Sequence, residues 1–175
     1  QYAPQNGGGF FLYPTPDRTG APIDSLRWEM YREGVEDYDI LTVLAHEQDR
    51  VLRALGVSDD RLSGEAQARE LAARVALNVA EVSRDPLAAD AARREACERI
   101  EFLRANPGAA VGVARDGKGP LVLVASGKAA VSVNGKALEG TAAVRQIRPR
   151  AGEPVTVRVE QAGRTKAVTL LAPLG

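Results

Sequence analysis

One cysteine, one histidine, a single tryptophan and no net charge are spread over 175 residues, and each scarcity excludes something. The lone cysteine, Cys97, rules out an intramolecular disulfide framework but does not fix the compartment. Set in an Arg- and Glu-rich helical stretch, it reads as a packed small residue and not as a reactive thiol. The lone histidine, His46, has no Cys or His neighbour at metal-ligand spacing, so these residues build no zinc site, and no cofactor is expected. After Phe102 there is no Phe, Tyr or Trp. That removes the stacking platforms on which single-strand nucleic-acid binders and most carbohydrate-binding modules rely. Nowhere do about eighteen apolar residues run together, so no membrane span is expected. Neither a basic start nor an apolar stretch opens the chain.

The zero net charge hides an asymmetry. Residues 1–107 hold 13 Lys and Arg against 19 Asp and Glu, while residues 108–175 hold 10 against 4. Two differently composed domains, 1–107 and 108–175, are therefore expected to meet near Pro107. The basic second part raises a nucleic-acid or acidic-glycan reading, but without aromatics a spread of surface charge explains it better, and no nucleic-acid partner is expected.

Phe10 to Tyr13 is a short apolar run closed by Pro14 and Pro16, the pattern of a buried strand. No partner strand precedes it, and its backbone donors and acceptors must be met from elsewhere, so the chain reads as the tail of a longer one. The absence of a leader then says nothing about export, and the compartment stays open. Three glycines ahead of the strand open no helix and are followed by no Gly-Lys-Ser/Thr, so they read as a connector and not a phosphate loop. Asp24 or Ser25 is placed to cap a helix with Leu26, Met30, Val35, Tyr38, Leu41 and Ala45 on one face. Trp28, Tyr31 and Tyr38 read as a face packed on a neighbouring layer, and Gly34 as a close approach of another backbone. Further helices are expected over Glu65–Ser83, with Val79 and Val82 inward, and over Pro86–Ala105, with Leu87, Ala91, Ala96, Ile100 and Leu103 inward. Asn106, Pro107 and Gly108 stop the helical region. From Ala109 the period changes to two, with corners at Asp116-Gly117, Asn134-Gly135 and Ala162-Gly163, which gives five to seven short strands.

The stretches GGGFFLYP and IDSLRWEMYREGVEDYDIL resemble the end of the catalytic domain of glycoside hydrolase family 123, also catalogued as domain of unknown function 4091. The likeness is carried by the strand, Tyr-Pro, Ser-x-Arg-x-Glu, Arg-x-Gly-x-x-Asp-Tyr and a final Leu. It implies that these segments are the last strand and last helix of a TIM-type barrel, with two trailing helices. It further implies a parent acting on glycosides, with the substrate's acetamido group as nucleophile, as in N-acetylhexosaminidases. There an Asp-Glu pair on an earlier strand orients the acetamide and protonates the leaving oxygen. Glu36-Asp37 and Asp59-Asp60 occupy the wrong elements for that pair, so no catalytic residue is assigned here and the chain alone is expected to be inactive. By position at the carboxyl end of a barrel strand, Tyr13 and the loop through Asp17 either border a glycan or pack the rim, and Arg27 either contacts substrate or, with Glu29, holds the loop.

The partners implied are the upstream part of the polypeptide and the parent's glycan substrate. The segment from Ala129 to Leu170 also resembles small bacterial β-sandwich modules and, less closely, the second half of a PDZ domain, in which TAAVRQI would be a helix. The expected class is thus α+β, a helical segment followed by a small all-β sandwich. The rival to a supporting role is a module that binds carbohydrate, anion or peptide.

Overall fold

A computed structural model describes residues 12–13, 23–24, 26–78, 80–140 and 142–173, with side chains from Trp28 onward. The class is mixed α+β, with three helices and several antiparallel sheets. The chain divides into two units, Gln1–Asp39 and Ile40–Gly175.

In the first unit, β1 (Leu12–Tyr13) pairs antiparallel with β2 (Ile23–Asp24), Leu12 opposite Asp24 and Tyr13 opposite Ile23. The expectation that this run finds no partner within the chain is corrected, because its described part closes a two-residue ladder with the segment just before the helix. Phe10, Phe11 and Ser25 lie outside the described residues, and so does the Asp24 side chain, whose backbone ends β2. Among the described residues this unit contains no closed barrel. Helix α1 (Leu26–Leu55) begins here. Its expected apolar face is open, with Met30 66 % and Tyr38 70 % exposed, although the Trp28 and Tyr31 rings stack with centroids 6.1 Å apart. Gly34 has nothing within 4 Å of where a Cβ would stand, so the expected close approach does not occur there. It lies on the same open stretch as Tyr31, Val35 and Tyr38.

The second unit holds the core. The later half of α1 buries Leu44, Gln48, Val51 and Leu52, a spacing of three and four that keeps one face inward. Gly56 stops the helix with φ 66°, and the Val57 amide returns to the Leu52 carbonyl. A single 3₁₀ turn (Asp60–Leu62) is capped by the Asp59 carboxylate. Ser63 then caps α2 (Gly64–Val75) by accepting the Ala66 amide.

Helix α2 stops eight residues short of the expected Ser83. Ala76 turns extended, and β3 (Ala76–Asn78) pairs with β4 (Glu81–Val82). Asn78 explains the break: its side-chain oxygen accepts the amides of Ala80 and Glu81 and closes a tight turn that competes with helix. Val82 is exposed and not inward, and Val79 lies outside the described residues.

Helix α3 (Ala88–Ala105) starts two residues later than expected, after Asp85 accepts the Leu87 amide. It buries Ala96, Arg99, Ile100, Phe102 and Leu103. Leu87 and Ala91 face out. So does Cys97, which corrects its reading as packed: it follows Ala96 by one helical step and lands on the outer face with Glu98, Glu101 and Arg104. Asn106 ends α3 as expected, bonding back to the Phe102 carbonyl through both its amide groups.

Seven strands follow. β5 (Ala109–Asp116), β6 (Gly119–Ser126) and β9 (Val144–Ile147) form one antiparallel sheet in that order. β11 (Arg164–Leu171), β10 (Pro154–Gln161), β7 (Ala130–Val133) and β8 (Lys136–Ala137) form the other. The segment that a PDZ-like reading would make helical contains β9, paired through Val144 and Ile147 to Ala125 and Val122. Asn134-Gly135 and Ala162-Gly163 are two-residue corners, both residues of each at positive φ, as a type I′ turn requires. The Asp116-Gly117 corner is displaced by one residue to Gly117-Lys118, with the Asp116 carboxylate accepting the Lys118 amide.

Burial separates the sheets. Ala109–Val113 and Leu121–Ala125 are buried at every position, so β5 and β6 are covered on both faces over these stretches. β10 alternates, with Val155, Val157 and Val159 inward and Thr156, Arg158 and Glu160 not buried. Leu44, Leu62, Leu71, Phe102 and Leu103 from the helical segments join the strand valines in one core.

Candidate functional site

Tyr13 has its backbone in β1 and Arg27 has its backbone in α1, but both side chains lie outside the described residues, and Asp17 lies outside them altogether. Glu29, expected to steady the loop, is bonded by Arg32 at 2.6 Å on the helix surface.

Several described carboxylates are engaged by arginines. Glu47 accepts from Arg104 at 2.9 Å and Arg50 at 2.7 Å, and these two bonds, Arg104 first, hold its carboxyl below the usual range. The Arg61 guanidinium grips Asp59 through Nε and Nη2 and does the same. Arg148 pulls Asp116 far down, helped by the Lys118 amide. A proton donor to a leaving glycosidic oxygen needs the opposite displacement. Among the described residues no cluster of three or more His, Cys, Asp or Glu side chains is placed to hold a metal.

The densest polar arrangement is buried between the helices and β5. β5 is an edge strand, and the backbone groups that turn away from β6 would be stranded in the core. Side chains satisfy them instead. Gln67 donates to the Val113 carbonyl at 2.9 Å and accepts the Val113 amide at 2.9 Å, standing in for a neighbouring strand. Gln48 donates to the Val111 carbonyl at 3.1 Å, and Arg99 reaches both that carbonyl at 3.3 Å and the Gln67 oxygen at 2.8 Å. Gly112 makes room: a Cβ there would lie 2.6 Å from the Gln67 amide.

Arg99 is wholly buried, and burial pulls its pKa down to about 10 against the opposing charge of Glu95. Its Nε and Nη1 have no hydrogen-bond partner, and Glu95 Oε1 stands 3.9 Å from Nη1. The other Glu95 oxygen is held by Arg74 at 2.7 Å. This cluster closes a sheet edge; with every helix and strand around it packed, it offers no opening for a substrate. The sequence did carry a signal for it. Gln48 is in phase with Leu44 and Val51, Gln67 with Leu71, and Arg99 with Ala96 and Leu103, which puts polar side chains on core-facing positions.

An open feature lies on the other sheet. Beside β11, α3 leaves two hollows of about 220 and 370 Å³ that share Glu98 and Thr169.

Against known families, one segment matches. Residues 1–44 match the model of the glycoside hydrolase 123 catalytic domain. That stretch is 44 of the 175 residues and includes the Tyr-Pro and Ser-x-Arg-x-Glu patterns. It establishes the relation for the opening segment and reaches only the first part of α1. Among curated proteins and among solved structures, nothing matches the chain.

Proposed function

We propose that residues 1–44 serve as the closing strand and helix of a TIM-type glycoside hydrolase barrel whose other strands come from further polypeptide. The observation that carries this reading is the family match on that segment. In such a barrel the carboxyl end of the strand opens on the substrate. Tyr13 would stack on an apolar sugar face, with Asp17 and Arg27 at the rim to bond sugar hydroxyls. The chemistry is hydrolysis of an N-acetylhexosaminide, with the acetamido group attacking the anomeric carbon and a carboxyl pair from another strand supplying the proton and the orientation. Residues 108–175 would be an accessory β region packed on the trailing helices, with which it shares one core.

The test is turnover of aryl N-acetylhexosaminides. The 175-residue chain alone is expected to give none. In protein carrying the whole barrel, Tyr13→Ala is expected to raise KM about tenfold with a smaller change in kcat, the loss of a stacking contact. Turnover by the chain alone, or no turnover by the longer protein on any aryl glycoside, would overturn the reading.

A further inference from the structure

The two sheets treat their helix-side edges differently. The edge of β5 is closed by Gln48, Gln67 and Arg99, as described. On β11 the closure stops after one residue. The Leu171 amide donates to Glu95 Oε2 at 3.4 Å and its carbonyl accepts from Arg74 at 2.8 Å, so the backbone of Leu171 points away from β10. By the two-residue repeat of a strand, Thr169 and Ala167 point the same way, while Leu170, Val168 and Lys166 bond to β10. The Thr169 hydroxyl contacts Thr156 across the face of the sheet at 3.0 Å, leaving its backbone unused. Among the described residues the outward amides and carbonyls of Ala167 and Thr169 have no partner.

These groups open onto the hollows beside α3. One is lined by Glu98, Glu101 and Phe102 facing Lys166, Ala167 and Thr169; the other continues past Glu98 and Arg94 to Leu171. An unpaired strand edge walled by a helix is the geometry in which an extended segment adds as a further strand. The charge of the wall selects the occupant: the Glu98 and Glu101 carboxylates, two against the single Lys166 cation lining the same hollow, are exposed and have no ion pair among the described residues. Arg94 lies at the Leu171 end, so the preference for a basic side chain is confined to the part of the edge beside the two carboxylates. We infer that the β11 edge at Ala167 and Thr169, walled by α3, binds an extended peptide segment of a protein partner that carries basic side chains opposite Glu98 and Glu101.

This site lies wholly in residues 40–175 and does not depend on the barrel reading, so either can fail without the other. The probe is a terminally blocked heptapeptide alternating valine with lysine and threonine, titrated into the ¹⁵N-labelled 175-residue chain. The amides of Ala167 and Thr169 are expected to shift most and their exchange to slow about tenfold on ladder formation. Ala167→Pro removes one outward donor and spares the β10 ladder, and should weaken binding about tenfold. The exposed double change Glu98→Lys with Glu101→Lys tests the charge without touching the strand. It should weaken the lysine peptide about tenfold and strengthen a glutamate-for-lysine counterpart.

Three outcomes of the peptide titrations would overturn the inference: no shift at Ala167 or Thr169 up to about 1 mM peptide, equal binding by a peptide N-methylated at alternate amides, or an affinity indifferent to the charge reversal. A concentration-dependent dimer in sedimentation that Ala167→Pro abolishes would overturn it in favour of a second copy.

Discussion

Two buried side chains on neighbouring helices, Gln67 and Arg99, have similar surroundings and opposite expected energetics. Gln67 completes the ladder of β5, so Gln67→Leu strands both the amide and the carbonyl of Val113 in the core. The expected loss is about 3 kcal/mol, one desolvation penalty for each orphaned group after partial relaxation. Arg99 carries a charge that burial penalises, with its Nε and Nη1 unpartnered. Glu95 keeps Arg74, so Arg99→Met leaves no new buried charge alone. That variant is expected within about 1 kcal/mol of the parent, in either direction. Urea midpoints of the two variants check the contrast, and equal losses would show that the Arg99 charge is better satisfied than its geometry indicates. Gly64 belongs to the same scale. A Cβ at this buried position would run into the Ala45 carbonyl of α1, so Gly64→Ala should cost about 3 kcal/mol by overpacking against backbone, read from the same midpoints.

At the level of elements, the β10–β11 hairpin turns through Ala162 and Gly163 with φ 51° and 74°. Alanine pays for the left-handed conformation and glycine does not. Ala162→Gly should therefore stabilise by about 1 kcal/mol, seen as a higher thermal midpoint with an unchanged spectrum. A lower midpoint would mean that the unfolded-state entropy of the added glycine dominates. The hairpin corners are also where the sequence was most legible, because Asn-Gly and Ala-Gly between alternating valines leave few other ways for the chain to reverse. Helix α2 was less legible. Val75 to Val82 carries apolar residues at helical spacing, and only the Asn78 side-chain oxygen, accepting the amides of Ala80 and Glu81, decides for a turn. Of the candidate site, Tyr13 and Arg27 could be named from motif alone, whereas the β11 groove could not, since its walls come from segments about seventy residues apart.

At the largest scale, the shared core makes the helical segments and strands of residues 40–175 one folding unit. Residues 40–175 are expected to unfold in a single cooperative transition, and residues 108–175 alone to stay unfolded, since Leu44, Leu71, Phe102 and Leu103 would no longer join the strand valines in the core. Circular dichroism in urea tests both, and a folded 108–175 fragment would show that the strands carry their own core. The acid response follows from the three arginine-held carboxylates. Their folded pKa values lie below the unfolded ones, 4.5 for Glu47 and 3.8 for Asp59 and Asp116, so at low pH the unfolded chain binds more protons. Their contribution is complete above pH 4.5 and lost as the pH falls through the lowered values. The urea midpoint should be level from neutrality to about pH 5 and decline below it; a decline starting near neutrality would point to other groups.

By itself, the amino-acid sequence determined the class, the switch from helices to strands at Asn106, the type I′ corners and the relation of residues 1–44 to a glycoside hydrolase domain. All of these rest on periodicity, turn chemistry or motif, which are local. Tertiary structure alone decided that glutamines complete the edge of β5, that Cys97 faces out, that the close backbone approach is at Gly64 and not Gly34, and that β11 keeps an open edge. Each of those depends on which distant segment arrives beside it, and hydrophobic burial, being non-directional, does not specify that from spacing.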